Sequence, residues 1–368
     1  MGRDMDNDRE MMGLAFDEAG KADSRVGTNP YVGCVIAKDG VAVSTGYHSV
    51  FGGGHAEINA IFNLLSNKGN GEVIPRGLLG GDWKGALKGY DVYVTLEPCS
   101  HEGKTQSCAE TLANLRPDRV VIGALDINPI VCGRGLLILK DAGVKVVDLS
   151  VEFAERANYL NRAFNKYITT GAPWVTHKIA ISADGYISAQ RIEAMTITGM
   201  DSKRDVHIIR SKNGAIVTGA GTLLADNPKL NIRLIEGDFK NPDAYVLTTR
   251  KLNTNNFNIA KASRRTVECI NYNDYKWEEI FTYIAKKSNT HSVMVEAGAK
   301  VNTSLLDSGL ADELVLYKSE KRLGKGYPAY LALGKYMSLE EVLINYVMYR
   351  TENIGDDEKK IYLRKELE

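Results

Sequence analysis

Four side chains in the first third of the sequence could hold a metal ion and use it. His55-Ala56-Glu57 follows a run of glycines, and Pro98-Cys99 and Cys108 come later. One imidazole and two thiolates form a borderline-soft donor set suited to tetrahedral zinc, with the fourth position left to water. Glu57 lies two residues beyond His55, too close to be a comfortable fourth ligand from the same helix turn. It is well placed to carry protons to and from a water at the metal. Any one of these cysteines or this histidine alone is more often a packed core residue; the ordered combination carries the reading.

Such a constellation needs rigid elements to present it. The pattern Met11, Leu14, Ala15, Ala19 predicts a helix from Glu10, after a polar, frayed stretch over residues 1–9. Residues 32–37 read as a buried strand, 38–40 as a turn and 41–46 as the return strand. A helix carrying His55 and Glu57 in its first turn follows, with Ile58, Ile61, Phe62 and Leu65 as its apolar stripe. Residues 67–89, rich in glycine, read as an irregular insertion. Residues 92–96 form a strand that delivers Cys99 at its carboxyl edge, where open α/β sheets place ligands. Cys108 opens the next helix, whose dipole favours a thiolate. Strand 120–124, helix 136–142 and strand 144–149 complete an α/β sandwich.

A helix over 152–170, stopped by Gly171-Ala172-Pro173, marks the boundary between two domains. The expected division is 1–150, a linker helix over 151–172, and a second α/β domain over 173–368. In that domain strands are predicted at 174–182, 215–218, 244–249, 266–270, 292–296, 313–318, 343–350 and 360–364. Helices are predicted near 202–210, 277–285 and 301–308.

The whole composition is compatible with this division. At 368 residues two domains are the natural prior, and 44% hydrophobic with 25% charged residues describes a soluble globular chain. Lys+Arg and Asp+Glu both number 46, so there is no basic excess to recruit nucleic acid, which favours a small-molecule substrate. Cys34, Cys132 and Cys269 lie outside the metal constellation, and five cysteines is an odd number. With no signal peptide or long apolar run read, a reducing cytoplasm is expected, with no membrane partner.

The motifs also carry a resemblance. His-x-Glu with a distant Pro-Cys…Cys is similar to the pattern of the zinc-dependent nucleobase deaminases. Asn29-Pro30-x-Val32-Gly33, Gly54-His55-Ala56-Glu57, Thr95-Leu96-Glu97-Pro98-Cys99-Ser100-His101 and Gly103-Lys104-Thr105…Cys108 narrow it, and Asp126-x-Asn128-Pro129-x-Val131-x-Gly133-x-Gly135 continues it. So do Lys178-x-Ala180-x-Ser182-x-Asp184-Gly185, Val206-His207-x-x-Arg210, Gly219-x-x-Thr222, Asp226-x-Pro228-x-Leu230-x-x-Arg233 and Val295-Glu296-x-Gly298. Together they resemble the bifunctional riboflavin-biosynthesis deaminase/reductases over nearly the whole chain.

That resemblance implies a cytidine-deaminase-like α/β/α sandwich followed by a dihydrofolate-reductase-like α/β domain. The first would hydrolytically deaminate 2,5-diamino-6-ribosylamino-4(3H)-pyrimidinone 5′-phosphate with Zn2+, and the second would reduce the ribosyl group to ribityl with NADPH. It implies zinc on His55, Cys99 and Cys108 with Glu57 catalytic, and Asn29, His48, His101, Lys104, Thr105 and Asn128 around the deaminase substrate. In the reductase it implies Lys178 near the hydride path. Arg210, Leu230, Arg233 and Glu296 would sit at the substrate, with the two arginines as a fork on its phosphate. Ala180, Thr196, Thr222, Asp226 and the turn from Gly298 through Ala299 and Lys300 to Ser304 would bind the nicotinamide nucleotide, that turn opening a helix whose amides can meet phosphate oxygens. A homo-oligomer is expected.

The chain departs from the family pattern in four places. The crossing from His55 to Cys99 is long. Thr105-Gln106-Ser107 stands where two prolines are usual, Ala194 and Thr196 where a serine and a tryptophan are common, and Glu296-Ala297-Gly298 replaces Glu-Gly-Gly. Rival readings are a tRNA or nucleoside deaminase, which pairs its thiolates as Cys-x-x-Cys; a zinc-stabilised scaffold closed by His101; and a deaminase with a degenerate reductase domain.

Overall fold

The computed structural model describes residues 2–66, 84–100, 107–128, 132–188, 196–332, 335–336 and 338–365. His101, Lys104, Thr105, Ala194 and most of the 67–89 insertion lie outside the described residues. The chain divides into two compact units, Met1–Thr169 and Thr170–Glu368.

The first unit contains α1 (Gly2–Ala19), β1 (Gly33–Lys38), β2 (Val41–Tyr47), α2 (Ala56–Ser66), β3 (Asp91–Val94) and α3 (Cys108–Leu115). β4 (Arg119–Ile122), α4 (Arg134–Asp141), β5 (Lys145–Asp148), α5 (Ala154–Leu160) and α6 (Arg162–Thr170) follow. The sheet order is β2-β1-β3-β4-β5, with β1 antiparallel to both neighbours and β3, β4 and β5 parallel. Alternation along the strands splits the core into two layers. Cys34, Ile36, Val92 and Val94 pack against Ala56, Ala60 and Ile61 of α2, Leu112 of α3 and Leu139 of α4. Val35, Ala37, Tyr93 and Val121 pack against Met12, Ala15 and Phe16 of α1.

Two expectations need correction here. Residues 2–9 are helical rather than frayed, because buried Asp8 accepts from Tyr93 Oη at 2.7 Å and from Arg119 at 3.0 Å, which pins the first turns to the sheet. The single helix over 152–170 is two, α5 and α6. Between them the Asn161 side chain accepts from Tyr31 N at 2.7 Å and donates to Tyr31 O at 3.0 Å, a tertiary bond that outbids helix continuity.

The second unit contains β6 (Trp174–Ile181), β7 (Tyr186–Ser188), α7 (Met200–Lys212), β8 (Ala215–Gly219), α8 (Ala220–Asp226), β9 (Asp243–Thr248), β10 (Val267–Asn271), α9 (Trp277–Ser288) and β11 (Ser292–Val295). It continues with α10 (Ala299–Ser308), β12 (Glu313–Lys318), β13 (Tyr327–Pro328), β14 (Leu331–Ala332), β15 (Lys335–Tyr336), α11 (Leu339–Leu343), β16 (Tyr346–Ile354) and β17 (Asp357–Arg364). The main sheet runs β10-β9-β8-β11-β6-β12-β17-β16, parallel through β12 and antiparallel in the last two strands. The central strands β8, β9 and β11 are buried at every residue and mainly apolar, as expected of parallel strands covered on both faces. Helix α8 was not anticipated; it is short, and its glycine and aspartate weaken the helical pattern.

Candidate active sites: a metal centre and a nucleotide-sized cavity

The metal constellation is assembled from three connections of the first sheet. His55 immediately precedes α2, Cys99 follows the carboxyl end of β3, and Cys108 is the first residue of α3. The Ser107 hydroxyl caps α3 by accepting from Glu110 N at 3.3 Å and donates to Cys99 O at 2.9 Å, which locks one cysteine to the other. Gly46 lets α2 approach β2: a Cβ there would lie 2.3 Å from Ala60 N.

One donor atom from each of His55, Cys99 and Cys108 lies within 4.8 Å of the others. His55 Nδ1 is 3.5 Å from Cys99 Sγ and 3.3 Å from Cys108 Sγ. Zinc bonded at about 2.3 Å to sulfur and about 2.0 Å to nitrogen sets tetrahedral donors about 3.5 Å apart. The donors therefore fit that ion in both type and separation. The Cys108 thiol and the His55 ring hold Cys99 down to about 4, while its contact with Cys99 and its burial hold Cys108 well up; a divalent cation would take both as thiolates. Glu57 is 4% exposed. Its burial, and then the charge of Cys99, push its carboxyl up to about 7.

The wall beside the metal donors is built from His48 and Asn29. His48 Nδ1 is 3.0 Å from Gly54 O, which can only accept, so the proton belongs on Nδ1; Nε2 then accepts from Asn29 Nδ2 at 3.0 Å. Burial pushes the His48 pKa down, and its ring meets His55 edge-on at 5.6 Å between centroids. Asn128 N donates to Asp126 Oδ1 at 2.8 Å in a tight turn.

Sequence reasoning quoted Glu97 within a motif and gave it no role. The structure buries its carboxylate, which accepts from Gly133 N at 2.9 Å, Gly135 N at 3.0 Å and Asp126 N at 3.4 Å. A Cβ at Gly135 would stand 2.1 Å from Pro98 O, so α4 seats against the peptide before Cys99 only because glycine is there. A charged residue beside Pro-Cys, facing a glycine pair, was the available signal.

In the second unit a cavity of about 930 Å³ opens above β6, β8 and β11. It brings together Lys178, Ala180, Thr196, Arg210, Thr222, Asp226, Leu230, Arg233, Glu296, Gly298, Ala299 and Lys300, all of them singled out from sequence. Ser304 does not line it; its hydroxyl accepts from the Trp277 indole at 3.0 Å. At its centre Glu296 is paired with Arg210 (Nε to Oε1 2.7 Å, Nη2 to Oε2 3.0 Å) and with Lys178 (Nζ to Oε2 2.7 Å). Burial works against the Glu296 charge, but the two cations outweigh it and hold the carboxyl well below the usual range. Arg210 directs two donors to Glu296 and a third to Asn231 O, at 3.1 Å, while the Arg233 guanidinium is exposed. Thr248, Thr249, Arg250 and Tyr272 also line the cavity and were missed. They stand at or just beyond the carboxyl ends of β9 and β10, which strand direction alone could have indicated.

These features define a chain that joins a zinc-binding pyrimidine deaminase to a nucleotide-dependent reductase. Residues 5–124 match the cytidine and deoxycytidylate deaminase zinc-binding region, and residues 173–343 match the RibD C-terminal domain. The chain belongs to the RibD family of riboflavin-biosynthesis proteins. It is 31% identical to riboflavin biosynthesis protein RibD of Aquifex aeolicus over 95% of this chain and 96% of that one. The Escherichia coli protein is 33% identical over 80% of this chain and 83% of its own. Among solved structures, a diaminohydroxyphosphoribosylaminopyrimidine deaminase/5-amino-6-(5-phosphoribosylamino)uracil reductase from Thermotoga maritima is similar with TM-score 0.79 at 29% identity, covering 97% of this chain and 99% of that one. Acinetobacter baumannii RibD is similar with TM-score 0.78 at 27% identity, over 98% and 99%. The chain is thus a bifunctional riboflavin-pathway enzyme, with a zinc-dependent deaminase domain and an NADPH-dependent reductase domain. Among the described residues no helix is long and apolar enough to cross a membrane.

Proposed function

We propose that His55, Cys99 and Cys108 hold the zinc and that Glu57 is the proton carrier of the deaminase. The observation that supports this best is a tetrahedral-sized donor triad with an otherwise buried carboxylate two residues from its histidine. Zinc, when bound, supplies a Lewis acid and an activated water at the open position. Glu57 takes a proton from the attacking water and delivers it to the departing exocyclic nitrogen. A C–O bond forms, the C–N bond breaks and ammonia leaves. Asn29 and His48, joined by a hydrogen bond, face the pyrimidine together with Asn128. His101, Lys104 and Thr105 complete the same assignment.

In the reductase domain we assign the substrate to Arg210, Leu230, Arg233 and Glu296, and the nucleotide to Ala180, Thr196, Thr222, Asp226, Gly298, Ala299 and Lys300. Ser304 would support that turn through Trp277 rather than touch the nucleotide. NADPH, when bound, would supply hydride to C1′ as the C1′–ring-oxygen bond opens and the released oxygen takes a proton from solvent, which gives the ribityl chain. Lys178, anchored on Glu296, stabilises charge near its path, and Arg233 meets the phosphate. The domain limits we favour are 1–150 and 173–368, joined through the helical stretch 151–172. The free cysteines outside the zinc site support a reducing cytoplasm, and a homo-oligomer is the state we favour, checked by sedimentation. The deciding experiment supplies the purified protein with the diaminopyrimidinone phosphate, with and without NADPH, and identifies products by mass. Deaminated product without NADPH and ribityl product with it are expected; an unchanged substrate would overturn the assignment.

A further inference from the structure

We propose that Arg265, Asn241 and His207 are positioning residues that hold residues 229 to 233 as a pre-set strap, so that Leu230 and Arg233 meet the phosphorylated substrate without rearrangement. This rests on the substrate assignment given above. The segment lies outside every helix and strand, so its peptide groups need partners from elsewhere. Side chains supply them residue by residue. Arg265 Nη2 donates to Lys229 O at 2.6 Å and Arg265 Nη1 to Leu230 O at 2.7 Å. Arg210 Nη1 donates to Asn231 O at 3.1 Å. Ile232 N donates to Asn241 Oδ1 at 2.8 Å, and Arg233 N to His207 Nδ1 at 2.9 Å.

Each holder is itself held in the role. Arg265 also donates to Ile259 O, so its guanidinium gathers main-chain carbonyls rather than a surface carboxylate. Asn241 Nδ2 donates to Ser263 O at 3.0 Å, which fixes the amide with its oxygen toward Ile232. Burial, then Arg210 and Arg233, push His207 down to about 4, so the ring is neutral at neutral pH; the Arg233 N–H can only donate and makes Nδ1 the acceptor, with Nε2 3.4 Å from Arg210 Nη1. The strap also carries strain: Leu230 has φ +45°, a left-handed conformation costly for a leucine, and such conformations persist where the surroundings over-determine them. Leu230 is packed with Leu223, Val246 and Ile259 yet still lines the cavity. Through Arg210 the strap is coupled to Glu296 and hence to Lys178. Ordering a loop before the substrate arrives removes that ordering cost from binding.

The test uses the full-length protein, the deaminated intermediate and NADPH. Arg265→Gln and Asn241→Ala should each raise KM for the intermediate about tenfold, while kcat changes less than about threefold and the Kd for NADPH is unchanged, the pattern of lost uniform substrate binding. Placed in an Arg233→Ala background, Arg265→Gln should add little, because its effect passes through the strap. Full additivity, or a parallel loss of NADPH affinity, would overturn the proposal. Should Arg265→Gln fail to fold, amide exchange decides on wild type and Asn241→Ala: the Ile232 and Arg233 amides should be protected in the first and the Ile232 amide released in the second. Free-loop exchange of both amides in wild type would equally overturn it. If wild-type protein does not oxidise NADPH with the intermediate, the substrate assignment fails instead, and the exchange result still reports on the strap.

Discussion

Under the proposed assignment the two sites set their key carboxylates to opposite uses. Glu57 has thiol sulfur and an imidazole for neighbours, and burial, then the charge of Cys99, push its carboxyl up to about 7. Glu296 faces Lys178 and Arg210 and is held ionised, a fixed anion that aims two cations. Glu57→Gln should therefore retain zinc by elemental analysis and lose deamination by about 10²–10⁴-fold. Cys99→Ala should lose the zinc itself, and equal zinc in variant and wild type would refute the ligand assignment. Glu296→Gln should destabilise the second domain by about 3 kcal/mol in urea unfolding, because buried Arg210 and part-exposed Lys178 lose their counter-charge. The Glu296 carboxyl is lowered on folding, so its contribution is present above the ordinary carboxylate range and is lost as pH falls below it.

At the scale of elements, the deaminase site depends on how closely α4 can approach the end of β3. Gly135 allows the contact with Pro98 O, and Glu97 ties the turn before α4 down through main-chain amides. Gly135→Ala should push α4 away and lower deaminase kcat/KM. Glu97→Gln places an amide N–H against peptide N–H groups, a mismatch worth about 1–3 kcal/mol in unfolding free energy. NADPH oxidation with supplied intermediate should be untouched in both. Equal loss in the two activities would show that the change is not local. In the second unit His177 of β6 is fully buried beside Asn302, and burial pushes it down to about 4. An imidazole lowered on folding leaves stability complete above about pH 6.5 and erodes it as pH falls toward 4. His177→Leu should flatten the stability–pH curve of this unit between those values.

On the scale of the whole molecule, the residues proposed for each chemistry fall within one unit of the chain. The zinc donors lie inside Met1–Thr169 and the reductase cavity inside Thr170–Glu368. Removing zinc with a chelator should abolish deamination and lower the unfolding temperature of the first unit, since metal binding stabilises the fold that presents the ligands. NADPH oxidation on supplied deaminated intermediate should continue at its original rate. A matching fall in both activities would mean that the second site depends on the metal as well.

What the sequence determined by itself was mostly chemistry and local pattern. The donor cluster of His55, Cys99 and Cys108 is legible because ligand softness and order along the chain need no folding to be recognised. The central strands β8, β9 and β11 are legible because buried parallel strands are mainly apolar runs. Tertiary structure decided what each polar group is spent on. Arg210 carries the same residue type whether it grips a phosphate or a carboxylate, and only the approach of Glu296, 86 positions away, commits two of its donors. Asn161 looks like any helical asparagine until Tyr31, 130 positions earlier, takes its side chain and splits the helix. Glu97, Arg265 and Asn241 escaped notice for the same reason. Their partners are peptide groups, which every residue carries, so no side-chain pattern records the bond; it exists only once the chain has folded.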